Sequence, residues 1–171
     1  MTLPDPVLDR LFRHDAWATE RMIAHLLTLP EELLGRTAPG SFGTIAETVH
    51  HLVAGHAGYV ARATGQPRPA DPVEAPTHAA LRALAADAAA HGVRLRALAA
   101  EGGEPILRYD YGSGQRVVPR SVVLAQAIHH ATEHRAQVFA ILTAHGVDGL
   151  TLDDLDVWSH DDAERGITPG G

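Results

Sequence analysis

Residues 127–142, AIHHATEHRAQVFAIL, decide how this chain is read. Apolar residues recur there every three or four positions with no glycine or proline between them, so the stretch predicts a helix. At about 100° per residue, Val123, Ala127, His130, His134 and Ile141 fall on one side, with Gln137 beside them. That side is the one a bundle buries. Two histidines four apart on it stand about 5–6 Å from each other at Cβ, within reach of one metal ion. Without an ion, both rings must stay neutral and find hydrogen-bond partners, for which Gln137, Thr132 and backbone carbonyls are available. A metal meets both demands at once.

Outward from this stretch the helix is expected over 121–144, stopped at Gly146. A first helix is predicted over 5–29, with Asp5 as its cap, Pro6 in its first turn and Leu8, Leu11, Phe12, Ile23 and Leu26 as its apolar stripe. Thr44 and Glu47 form a capping box for a second helix that runs to Thr64 and ends at Gly65. The segment QPRPADPVEAPT follows, too rich in proline to be helical throughout. A third helix spans 78–100 on Leu81, Leu84, Leu95 and Leu98, with Gly92 as a local weakness. Between the third and fourth helices, ILRYDY and RVV flank a Gly-Ser-Gly turn, the pattern of a small β-hairpin. LTLDDLDVWSH predicts a further helical turn, and GITPGG a loose end. The fold class is therefore all-α: one domain over 1–171, ordered over about 5–158, an up-and-down four-helix bundle with a long connection after its second helix.

Composition removes many functions. Apolar residues at 45% and charged residues at 20% are globular proportions. A net charge of −7 argues against nucleic acid or an anionic membrane as partner. With no cysteine there is no disulfide, zinc–thiolate site, iron–sulfur cluster or cysteine nucleophile. MTLPDPVLDR lacks the apolar core of a signal peptide, and no apolar run approaches the roughly 18 residues of a transmembrane helix, so the cytoplasm is expected. The 12 histidines are the one excess able to carry chemistry.

A tetrahedral ion needs a third ligand from elsewhere, and the second helix offers His50, His51 and His56. His56 lies within the stripe Ile45, Val49, Leu52, Val53 and Val60, whereas His51 lies to one side, so periodicity alone favours His56. His14, His25, His78, His91, His145 and His160 read as surface or core-edge residues.

The run TIAETVHHLVAGHAGYVARATG, followed some eighty residues later by HHATEHRAQVFAIL, resembles the DinB/YfiT-like family of bacterial metalloproteins. That family's second helix has a His-Leu or His-Ile step, matched by His51 and Leu52, with His56 in its polar place and Tyr59 in its aromatic one. The His-x-x-x-His-Arg-x-Gln pattern of its last bundle helix is matched by His130, His134, Arg135 and Gln137. The first-helix Trp-Ala step is matched by Trp17 and Ala18. The chain departs from the pattern at His129, where Asn is frequent, and at Glu133, where His is frequent. The resemblance implies the ligand set His51, His130 and His134, with His56 as runner-up. It also implies a homodimer, and thiol-dependent transferase or metal-dependent hydrolase activity on a small molecule.

Three imidazoles leave an ion with open positions, so the reacting group is expected to be water or a thiolate on the metal. Zinc is the first expectation, and nickel, iron or manganese also suit three histidines. Gln126, Gln137 and Glu133 are candidates to hold the ligands, and Trp17 and Tyr59 to wall a pocket. Two classes of function follow: a metal-dependent thiol S-transferase or hydrolase, and a non-enzymatic bundle whose ion ties two helices together.

Overall fold

Asp5 opens the first helix by accepting the backbone N–H groups of Val7 and Leu8 at 2.8 and 3.0 Å, which would otherwise lack partners. In the computed structural model, which describes residues 5–70, 76–112 and 114–167, this helix is α1, Pro6–Leu26. It ends three residues before the predicted 29; a short 3-10 turn over Glu31–Gly35 then leads on. The capping box of Thr44 and Glu47 starts α2, Ile45–Thr64, and Gly65 closes it in the left-handed conformation at φ 69°. Then come α3, His78–Ala100, and the antiparallel strands β1, Ile106–Tyr111, and β2, Gly114–Pro119. The last long helix is α4, Arg120–Ala144. Ser113 of the hairpin turn, residues 71–75 of the proline-rich connection and residues 168–171 of the tail lie outside the described residues.

The tail is more ordered than expected. Instead of ending near residue 158, it forms α5, Val157–Arg165, which lies along α1. Arg10 pairs with Asp161 at 2.8 Å, Arg13 pairs with Glu164, and the Trp17 and His160 rings stand 5.1 Å apart.

Four long helices form the bundle, α1 and α2 each packing against both α3 and α4. Successive helices alternate in direction at the short connections but not at the long one. The His78 N–H, at the start of α3, donates to Glu31 just beyond the end of α1, at 2.6 Å. The Ile45 N–H, at the start of α2, donates to the Arg36 carbonyl at 3.0 Å, at the same end. Arg120, opening α4, instead reaches Glu101 at the close of α3. So α2 and α3 run together, with α1 and α4 against them. Returning along the 20 residues of α2 means covering about 30 Å, which explains the length of the connection over 65–77.

Met22, Ile23, Leu26, Ile45, Leu52, Leu95 and Ile141 are fully buried between the helices. Gly92, expected as a local weakness of the helix, also has a packing role. A Cβ there would lie 2.9 Å from the Ala16 Cβ, so glycine lets α1 and α3 approach closely. The hairpin sits over one end of the α2–α4 face, β1 against α2 and β2 against α4.

Candidate metal centre

The capping box sets where α2 begins, and the antiparallel packing of α2 on α4 then brings His51 opposite His130 and His134. His51 Nε2 and His130 Nε2 are 3.1 Å apart. Across the three histidines, one ligand nitrogen from each lies within 4.8 Å of the others. Two ring nitrogens bound to one tetrahedral zinc at 2.0–2.1 Å would stand about 3.3 Å from each other, so the observed separation suits an ion between them. Ring centroids 4.4 Å apart at 75° for His130 and His134 rule out simple stacking and turn the ring edges inward.

Gln137 holds this arrangement. Its Oε1 accepts the Phe42 N–H at 3.2 Å and lies 2.9 Å from His134 Nδ1. An oxygen already accepting from a backbone amide requires Nδ1 to be the donor, which leaves His134 Nε2 with its lone pair free for a metal. The Phe42 ring stacks on His51 at 4.0 Å and covers the cluster from outside. Burial, and after it the nearby imidazoles of His134 and His51, push the pKa of His130 from the usual 6.5 down to about 3. His130 is therefore neutral at physiological pH, the state that ligates. Its Nδ1 is buried without a hydrogen-bond partner, so the ring keeps donor capacity unused by the protein. Donor type, spacing and charge state all fit one divalent ion.

Gly55 makes room for this ring. A Cβ at that position would lie 2.5 Å from His130 Cε1. Sequence reasoning passed over it, although Gly55 lies four residues after His51 and so on the same helical face.

His56, which periodicity favoured, is buried as the stripe required, but it turns away from the cluster. Its Nε2 stands 3.1 Å from Asp15 Oδ2 on α1, and it is not one of the three grouped histidines. Gln126 lines a cavity together with Tyr59 and His130. Tyr59 does stand at the site, its ring edge-on to His130 with centroids 5.6 Å apart. Two expectations fail. Trp17 walls no pocket at the cluster, because α5 occupies its surroundings and it lies between His14 and His160. Glu133 is exposed to solvent and supports no ligand. Among the outlying histidines, His160 lies on α5 and is buried against α1, beside His14 and Trp17, and not at the surface.

The buried ion pair behind the cluster was also missed. Arg135 Nη1 donates to Asp15 Oδ1 at 2.6 Å and to Thr19 Oγ1 at 2.9 Å, and Nη2 donates to Thr132 Oγ1 at 3.1 Å. Burial alone would raise the Asp15 pKa, but His56 and Arg135 outweigh it and hold the carboxyl below its usual range. The signal was present in the spacing. Ala131, Arg135, Val138 and Leu142 form a helical stripe, as do Phe12, Asp15, Thr19 and Met22. A charge inside each stripe demands a partner in the other.

A cavity of about 480 Å³ has His51 and His130 at its floor, with walls from α2, the hairpin and the start of α4. The cluster is therefore open to a small molecule from that side. No fourth protein ligand joins it among the described residues.

These features define a helical bundle with a three-histidine centre between its second and fourth long helices. The model of the DinB family matches residues 4–165, nearly the whole chain, and the chain belongs to that family. No curated protein matches it. Among the described residues, no helix is long and apolar enough to cross a membrane.

Proposed function

We propose that this protein binds one divalent metal ion through His51, His130 and His134, and uses it as a thiol S-transferase on a small electrophile. The observation that carries the reading is the convergence of three imidazoles, two of which, His51 and His130, line an open cavity, with no fourth protein ligand among the described residues. A divalent ion bound there would supply Lewis acidity, lowering the pKa of a thiol that meets it. Zinc is the first choice, and nickel, iron and manganese also suit the donor set.

The chain's own residues prepare the site for that chemistry. Gln137, itself held by the Phe42 N–H, fixes the tautomer of His134. Burial keeps His130 unprotonated, and Gly55 leaves the space its ring occupies. Phe42 shields His51 from bulk water on the side away from the cavity. In the transfer, a carbon–sulfur bond forms, the thiol proton passes to solvent, and the leaving group departs with the electron pair that joined it to carbon. We further propose a homodimer, as the family resemblance implies; sedimentation showing only monomer at micromolar concentration would remove that.

Cobalt-substituted protein titrated with mycothiol, bacillithiol or glutathione tests the transferase reading. One of these thiols should give a sulfur-to-cobalt charge-transfer band, absent in His51→Ala and retained in the surface variant Arg82→Gln. A spectrum unmoved by every thiol, together with turnover of activated esters by the zinc form, would replace the transferase with a hydrolase. Silence in both assays would favour a bundle whose ion only ties α2 to α4.

A further inference from the structure

The cavity above the cluster is basic in a protein whose net charge is −7. Arg62 of α2 and Arg116 of β2 both line it. The Arg62 guanidinium lies over three rings, with centroid distances of 5.4 Å to Tyr59, 5.4 Å to Tyr109 and 5.6 Å to Tyr111. Arg116 lies over Tyr111 at 5.0 Å. Such cation–ring contacts attract and position a guanidinium while its N–H groups can still donate to an acceptor. Arg10, Arg13, Arg96, Arg120, Arg135 and Arg165 each pair with a carboxylate. Neither Arg62 nor Arg116 forms an ion pair among the described residues. Gly58 gives the Arg62 group its space, since a Cβ there would come within 3.2 Å of Nη1. The hairpin that brings Tyr109, Tyr111 and Arg116 is the one β element of the described residues, placed over the α2–α4 face that carries the histidines.

We propose that this cavity binds an oxyanion-bearing small molecule, its carboxylate or phosphate held by Arg62 and Arg116 and its other end directed to His51 and His130. Carboxylate and phosphate share the geometry that a guanidinium edge recognises, two acceptor oxygens facing two N–H donors. The cavity is lined by arginines and by no carboxylate, which draws anions to it in a protein whose net charge is negative. For the histidine end, the assignment rests on the metal-site reading above. The arginine end stands independently of it.

Calorimetric titration with succinate, phenyl phosphate and the neutral butane-1,4-diol separates the two. It is run on metal-loaded and on chelator-treated protein. Succinate or phenyl phosphate should bind in both forms, and the diol should not. Arg62→Gln and Arg116→Gln should each weaken the bound anion by about tenfold, as loss of a charge-assisted hydrogen bond does. Arg94→Gln, on the exposed face of α3, should leave binding unchanged. Binding of one anion class alone would support the proposal and identify the class. Equal affinity for the diol, no binding of either anion, or equal weakening by all three arginine variants would overturn it. Metal content separates failure here from failure of the metal site: Arg62→Gln should keep its ion, and His51→Ala should lose its ion while chelator-independent anion binding persists.

Discussion

His130 has one ring nitrogen 3.1 Å from His51 and the other buried, and both facts bear on how the free protein responds to acid. Its pKa in the fold, about 3, lies below the value of 6.5 it takes when exposed. Between those two pH values the unfolded chain binds a proton at this residue and the folded chain does not, so the unfolded state gains and stability falls as pH drops. Above 6.5 the residue is neutral in both states and contributes no slope. Chelator-treated protein should therefore melt at progressively lower temperature from pH 7 to pH 4, and His130→Gln should flatten that dependence. Identical profiles for the two proteins would contradict the assignment. Gly55 offers a second test of the same ring. In Gly55→Ala the new methyl cannot share the space of Cε1, at 2.5 Å, and the imidazole must move. Metal affinity should fall by about 10–100-fold, the range found when a ligand's orientation is disturbed. Unchanged affinity would mean that His130 does not ligate as described.

Between α1 and α4, Asp15 and Arg135 form the buried pair that backs the histidines. Removing the carboxylate in Asp15→Ala leaves a guanidinium buried at 4% side-chain exposure without its counter-charge. The loss should be about 3–5 kcal/mol in urea unfolding, where an exposed pair such as Arg10 with Asp161 should cost at most about 1 kcal/mol. Similar costs at both sites would show that the buried pair is not what joins these helices. The helices were legible in the sequence because their boundaries rest on local chemistry: Asp5 and Thr44 as caps, Gly65 as a stop, proline in the connections. The same local logic placed His130 and His134 on one face. It favoured His56 over His51, because the true choice depends on how α2 is rotated against α4 and on the presence of Asp15 on a third helix. His56 satisfies the wheel by pairing with that carboxylate, which frees His51, at the edge of the stripe, to face α4. Trp17 was misplaced for a similar reason. Nothing local indicates that the tail folds back as α5 and covers it.

For the whole molecule, the ion would join α2 to α4 at mid-height, while α1 and α3 close the other side of the core. A ligand that binds only the folded chain stabilises it by linkage, about 2.7 kcal/mol at one hundred times its Kd. The melting temperature should therefore rise with added zinc at pH 7.5, and the rise should shrink as pH falls, because protons compete with the ion for the ligand nitrogens of the folded chain. The most direct test of the account is metal content per chain, measured on purified wild type and on the His51→Ala, His130→Ala, His134→Ala and His56→Gln variants, each confirmed as folded by circular dichroism. The account predicts about one divalent ion per chain in wild type and in His56→Gln, and none in the other three. An ion retained in His51→Ala and lost in His56→Gln would contradict it.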